Sequence, residues 1–207
     1  MQILTRMYVG LRNDKNIEDN ERLSKYNFGS RKHYSIKSAL LEKRLLYDTS
    51  KYTSEPTIHL LSDLEACYDR QIPSLGGIVE EALGVNRKAI KLLCNTVSRF
   101  KHFTCTGFGI SEKYYGRPNE KLTGTGQGNM LSGAVCRDQS CLVFKQLERL
   151  KKVVKLVLPL SLKRVRRTVI AYVDDADFFS NGKYCIQKIQ EIIELYVRLY
   201  EATGAKI

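Results

Sequence analysis

No two of the six cysteines (Cys67, Cys94, Cys105, Cys136, Cys141, Cys185) stand in a C-x-x-C pair, and His33, His59 and His102 are scattered. That spacing speaks against a structural zinc site and leaves buried, reduced thiols as the expected use of cysteine. No apolar run approaches the ~20 residues of a membrane span. The opening stretch, MQILTRMYVGLRNDKN, lacks the apolar core and cleavage site of a signal peptide. The expectation is a soluble, intracellular chain with no membrane partner. Internal repeats are lacking too. Acids are in short supply: 22 Asp and Glu stand against 34 Lys and Arg, a net charge of +12. An excess of that size calls for a polyanionic partner, nucleic acid before anionic membrane. A hydrophobic content of 43% over 207 residues excludes wholesale disorder and is enough for one domain or two small ones.

Periodicity supplies the elements. Ser35–Tyr47 (SIKSALLEKRLLY) reads as an amphipathic helix with Ile36, Ala39, Leu40 and Leu46 on one face. Thr57–Leu61 is a short strand running into Ser62-Asp63. Pro73, Gly76 and Gly77 are expected to break the chain before a second helix near Asn86–Phe100. Residues 103–116 alternate as a hairpin, and the glycine-rich turn Gly124-Thr-Gly126-Gln-Gly128 leads into a helix from Met130 to about Leu150. Residues 168–180 (TVIAYVDDADFFS) read as strand, tight acidic turn, strand, followed by an amphipathic helix over Tyr184–Ala202 that Gly204 stops. This order predicts an α+β fold with an antiparallel sheet.

The sharpest chemical feature is Asp174-Asp175, between apolar Val169-Ile170-Ala171 and Phe178-Phe179. Adjacent carboxylates at a hairpin tip repel each other. A divalent cation with a taste for hard oxygen removes that cost, although an Asp-Asp pair also favours a turn with no further role. Asp63 shifts the balance, because it too ends an apolar strand. If the two strands are neighbours, Asp63 and Asp174 converge on one sheet edge. With Asp175, three carboxylates there could hold two magnesium ions about 3.5–4 Å apart, the arrangement that stabilises both oxygens in phosphoryl transfer. Glu65 and Asp69 are rival ligands that alternation aims elsewhere.

These segments resemble the motifs of one enzyme family. Asp63–Asp69 is similar to the first catalytic motif of reverse transcriptases, an Asp followed five residues later by an aromatic, here Tyr68. Gly126-Gln-Gly-Asn-Met-Leu-Ser132 resembles their Gln-Gly-x-x-x-Ser motif, and Tyr172–Asp175 their Tyr-x-Asp-Asp motif. Asn27-Phe-Gly-Ser-Arg31 resembles the upstream Phe-Gly-Phe-Arg finger segment with Ser30 replacing an aromatic, and Thr203–Ile207 the start of the fourth palm motif. The likeness is greatest to non-long-terminal-repeat retroelement and group II intron-type enzymes.

The resemblance implies a ferredoxin-like polymerase palm, its antiparallel sheet backed by helices, with partial fingers and no thumb. It divides the chain into a fingers segment at 1–56 and a palm at 57–207 with a basic insertion at about 149–167. The implied function is RNA-directed DNA polymerase. Deoxynucleoside triphosphates would be added to the 3′-hydroxyl of a DNA primer on an RNA template, with two Mg2+ ions and Mn2+ as a substitute. Asp63 and Asp174 would be metal ligands, Asp175 a supporting third, and the Leu64 carbonyl would complete a shell. Cys67, Tyr68, Gln127 and Gly128 would meet the nucleotide, Tyr68 as the aromatic that crowds a ribose 2′-hydroxyl. Arg31, Lys163, Arg164, Arg166 and Arg167 would contact nucleic acid.

Departures from the family pattern accompany the matches. Gly133 stands where the family usually has proline. The triphosphate-clamping basic residue of the fingers has no clear counterpart in residues 1–23, and the expected lysine of the fourth motif and the thumb lie beyond Ile207, so the chain is expected to be cut short at both ends. The stretch Arg149–Arg167 holds eight Lys or Arg and no acid. It reads as a phosphate-tracking surface, a nuclear-import patch or a solvated insertion. Against the polymerase stand an RNA-dependent RNA polymerase, a nucleotidyl cyclase, and a catalytically inert retroelement remnant that binds RNA or DNA through its basic surface.

Overall fold

The alternating apolar residues on either side of the acidic turn form one antiparallel sheet. The computed structural model describes residues 17–18, 20, 22–115, 124, 130–150, 154–157 and 164–207. Its elements run α1 (Ile36–Thr53), β1 (Thr57–Ser62), α2 (Cys67–Arg70), α3 (Pro73–Ala82), α4 (Arg87–Val97), β2 (His102–Thr106) and β3 (Gly109–Tyr115). They continue with α5 (Met130–Arg149), β4 (Val154–Val157), β5 (Arg164–Arg167), β6 (Val169–Tyr172), β7 (Asp175–Asn181) and α6 (Cys185–Ala202). Strand order in the main sheet is β1-β7-β6, with Thr57 opposite Asn181 and Ser62 opposite Ala176. Two further two-stranded sheets, β2-β3 and β4-β5, are also antiparallel. The result is a mixed α/β fold. No helix among the described residues is long and apolar enough to cross a membrane.

Period-two alternation sends the sheet's side chains into two separate cores. Val169, Ala171, Ala176 and Phe178 face α5 and α6, where they pack with Cys136, Phe144, Leu147, Ile192 and Tyr196. Tyr196 is the hub of that layer: its ring meets Phe178 edge-on at 4.7 Å and Tyr200 at 4.8 Å. Ile170 and Phe179 face the other way, onto Ala39 and Leu46 of α1 and onto Phe28. A short parallel edge extends the sheet, because Phe28 donates its N–H to the Ala171 carbonyl at 2.8 Å and Ala171 donates to Tyr26 at 2.9 Å.

Ser35 caps α1 by accepting from the Ser38 N–H, a pairing that satisfies one of the free donors at a helix start. Of the four residues expected on the buried face, Ala39 and Leu46 are buried, whereas Ile36 and Leu40 are more than half exposed. A cavity rather than a third layer faces those two.

The expected break at Pro73 is instead the start of α3. Proline occupies the first turn, where its missing N–H removes no helical bond. Gly76 and Gly77 are inside the helix and buried, because a Cβ at Gly76 would approach Val135 Cγ1 to 2.9 Å and one at Gly77 would approach Ile90 Cγ2 to 2.8 Å. Close packing of α3 on α4 and α5 requires glycine there, at the expense of helix propensity. Within the basic stretch, Val154–Val157 pairs with Arg164–Arg167 in register, Val154 opposite Arg167.

Candidate active site

Asp63 follows the last residue of β1, and packing fixes where that strand ends. The Ser62 hydroxyl reaches the Tyr196 hydroxyl at 3.4 Å, and Leu64 is buried in the core on the other side of Asp63. Ala66 then takes a left-handed conformation (φ 49) and starts the single turn of α2, which carries Cys67, Tyr68 and Asp69. Across the sheet, Tyr172 pairs with Asp175, so Val173 and Asp174 form a two-residue hairpin loop. Such loops need positive φ, and Val173 supplies it at φ 62. A β-branched residue is strained in that region, and backbone strain concentrates at functional sites.

The pairing of β1 with β7 brings the predicted residues together. One cavity, of about 390 Å3, is lined by Asp63, Leu64, Cys67, Tyr68, Asp69 and Asp174, among others. A second, of about 430 Å3, lies over the α1 face and takes in Asp63, Tyr172, Asp175 and Asp177 with Lys43 and the exposed Ile36 and Leu40. Asp63 therefore stands between two openings. Burial raises the Asp175 carboxyl above its ordinary value, and the charges of Asp174, Asp63 and Asp177 add to the effect. These carboxylates share one electrostatic field, and hard oxygen donors of this kind suit magnesium. Among the described residues, no three ligating side chains converge tightly enough to form a ready-made metal cage. Magnesium does not demand one, since it keeps several waters and takes ligands from substrate phosphates.

The neighbours of these residues are specific. Burial pushes the Tyr68 phenol up to about 12, so the ring is a neutral wall of its cavity. Cys67 and Cys136 are both buried, their sulfur atoms 2.7 Å apart. The hydrogen bond to Cys67, together with burial, holds the Cys136 thiol well above its ordinary value. Glu65, a rival ligand in the sequence, also lines the cavity of Asp63 and Asp174, with Lys206 2.8 Å from its carboxylate and paired with it through the backbone.

Two of the expected nucleic-acid contacts are committed elsewhere. Arg31 is half-buried, forms a salt bridge with Glu18 at 2.6 Å and donates to the carbonyl oxygens of Ser24 and Asn27. Arg167 holds Glu42 through two bonds of 2.6 and 2.9 Å. The Arg31 guanidinium thus ties together the segment before β1, and that of Arg167 ties α1 to β5. Arg166 is exposed. Gln127, Gly128 and Lys163 lie outside the described residues, and of Arg164 only the strand position is described. Gly124, the described part of the glycine-rich turn, has φ +97 and donates to the Gln71 carbonyl at 2.6 Å. A Cβ there would strike the backbone of Tyr68 and Asp69, so Gly124 lies against the Asp63–Asp69 segment.

Sequence reasoning missed two features. Asp177 lies two residues beyond Asp175 on the same strand face, where Lys43 reaches it at 2.8 Å and His59 at 2.7 Å. Tyr47 bonds the other nitrogen of His59. The i, i+2 spacing was a usable signal for Asp177. The second is the contact of Gly29 with the acidic turn, since the Asn27–Arg31 motif marks that glycine but not what it packs against. A Cβ there would run into the backbone nitrogen of Val173 and approach its Cγ2 to 2.8 Å. Gly29→Ala should therefore displace the acidic turn. The expected outcome is a loss of about 1–3 kcal/mol in stability, read by urea denaturation. Wild-type stability in that variant would rule out the close approach.

No protein-family model and no curated protein matches the sequence. The fold does match solved structures, telomerases among them. Apo telomerase from Candida tropicalis, truncated from its C-terminal domain, aligns over 99% of this chain and 37% of its own, with TM-score 0.55 and 15% identity. Candida albicans telomerase in complex with a TWJ fragment of telomeric RNA aligns over 99% and 32%, with TM-score 0.55 and 14% identity. The chain thus spans about a third of the length of these structures, and the likeness is one of fold.

Proposed function

We propose that this chain is the palm of an RNA-directed DNA polymerase that extends a primer 3′-hydroxyl by metal-dependent nucleotidyl transfer. The observation that carries the reading is the convergence of Asp63 with the Asp174-Asp175 turn on one edge of an antiparallel sheet, with Tyr68 lining the same cavity as Asp63 and Asp174. The telomerase fold and the RNA bound in one of those structures support a nucleic-acid substrate. The order of motifs supports the finer reading of a non-long-terminal-repeat or group II intron-type enzyme.

In this reading Asp63 and Asp174 hold two Mg2+ ions, with Asp175 and the Leu64 carbonyl in support. When bound, the ions supply Lewis-acid stabilisation of the attacking and leaving oxygens. The chain's own residues do the positioning. The Ser62–Tyr196 contact and the β1–β7 pairing hold Asp63 at the sheet edge, and the two-residue loop projects Asp174 toward it. Tyr68 walls the cavity where a sugar would lie and crowds a 2′-hydroxyl, the group that separates the two sugar types. Gln127 and Gly128 would floor the nucleotide site, and Lys163, Arg164 and Arg166 would track phosphates.

Primer extension on poly(rA)/oligo(dT) with Mg2+ or Mn2+ tests the reading. Product is expected with deoxynucleotides, and Tyr68→Val should raise ribonucleotide incorporation by on the order of tenfold, the usual size of a one-group steric discrimination. Absence of product from the wild type, with salt-sensitive RNA binding retained, would replace the polymerase with an inert nucleic-acid binder.

A further inference from the structure

The β2–β3 hairpin stands apart from everything the carboxylate edge requires. Every residue of β2 is exposed, and among the described residues its two strands pair only with each other. Phe108 at the tip is fully exposed, Phe103 is 50% exposed and Ile110 70%. An isolated two-stranded hairpin is marginal in water, and projecting rings on it gain nothing from a core. Exposed apolar groups gathered on one element mark a surface that meets a partner.

Its charge says which kind of partner. From α4 through β3 the chain carries Arg87, Lys88, Lys91, Arg99, Lys101 and Lys113 against the single acid Glu112. Cations and rings are interleaved rather than segregated. Lys101 Nζ lies 4.7 Å from the centroid of the Tyr114 ring, which faces Phe103 across the strands at 5.9 Å. Phe100 and His102 form a second ring pair at 6.2 Å. A protein-binding patch would have a continuous apolar centre with few charges. Alternating rings and ammonium groups instead match a strand of unpaired bases, which offers a stacking face and a phosphate at each step. A duplex hides those faces.

We propose that the β2–β3 hairpin is a stacking platform for single-stranded nucleic acid, with Phe103 and Phe108 receiving bases and Lys101 and Lys113 meeting phosphates. The platform lies outside the carboxylate cavities and does not depend on nucleotide addition.

The test is fluorescence anisotropy of the full chain with labelled oligo(U) and oligo(dT), and with a duplex of equal length, all in EDTA. Working without metal or nucleotide separates this result from the fate of the polymerase reading. Phe103→Ala/Phe108→Ala should weaken binding of both single strands by about tenfold or more, the scale of losing stacked bases. Duplex binding, which rests on charge, should change less than about twofold. A stronger effect on oligo(U) than on oligo(dT) assigns RNA as the strand, and equal effects assign either. Because no core lies beneath the hairpin among the described residues, the variant should melt like the wild type.

A second measurement needs no substitution. Cys105 is exposed on β2, whereas Cys67, Cys136, Cys141 and Cys185 are buried. Bound oligo(U) should slow alkylation of Cys105 by N-ethylmaleimide while the buried thiols serve as the slow reference. Wild-type affinity in the double variant, an equal loss on duplex, or a Cys105 that stays unprotected would each overturn the platform. So would a variant that loses self-association while keeping oligonucleotide affinity, which would make the hairpin a protein contact.

Discussion

Asp174→Ala should abolish nucleotide addition, with a loss of at least about three orders of magnitude, and should leave the protein no less stable. The size follows from the work asked of the metal: several kcal/mol of charge stabilisation, where ~4 kcal/mol corresponds to roughly 10³ in rate. The stability expectation follows from repulsion. Asp174 occupies a turn, and its charge helps raise the Asp175 carboxyl, together with Asp63 and Asp177. Deleting it relieves a like-charge contact and removes no buried apolar surface. Added Mg2+ should raise the melting temperature of the wild type, because a ligand that binds only the folded state stabilises it. The variant should show little of that shift. Primer extension and thermal melts with and without Mg2+ read both outcomes. Undiminished extension would show that these carboxylates are a turn and nothing more.

Phe178→Ala should cost about 3–5 kcal/mol, the range for deleting a buried aromatic. Phe178 is fully buried at the middle of β7, the central strand, and packs edge-on against Tyr196. Tyr196 in turn reaches Ser62, next to Asp63. The lost ring would leave a void between the sheet and α6 and loosen the strand end that positions Asp63. For a domain with about 5–15 kcal/mol of total stability this is a large fraction. Urea denaturation should show a lowered midpoint with an unchanged slope. A change below about 1 kcal/mol would mean that the layer can close over the gap, and the hub role of Tyr196 would fall.

The acidic hairpin was legible because its signal is local. Apolar arms of period two around Asp174-Asp175 admit few structures other than a hairpin, and β6 and β7 fall where that pattern puts them. The same holds for α5 and α6, whose patterns match their observed spans to within a residue or so. The α3 helix was not legible. Proline and two glycines read as breakers by propensity, and only the presence of Val135 and Ile90 against them shows why glycine is needed. A sequence displays the charge of Arg31 and Arg167 without its partner, and only the fold shows that Glu18 pairs with the first and Glu42 with the second.

The sequence by itself determined the basic charge, the order of elements and the identity of the carboxylates, all of which reside in composition or in residues a few positions apart. Only tertiary structure decided that β1 lies against β7, so that Asp63 and Asp174 line one cavity although more than a hundred residues separate them. It also decided that Gly29 supports the Val173 turn, that Asp177 is held by Lys43 and His59, and that the β2–β3 hairpin stands exposed. The physical reason is common to all four. Local patterning sets which face of an element is apolar, but contacts across long loops depend on which faces find each other when the core closes, and no single stretch of sequence contains that information.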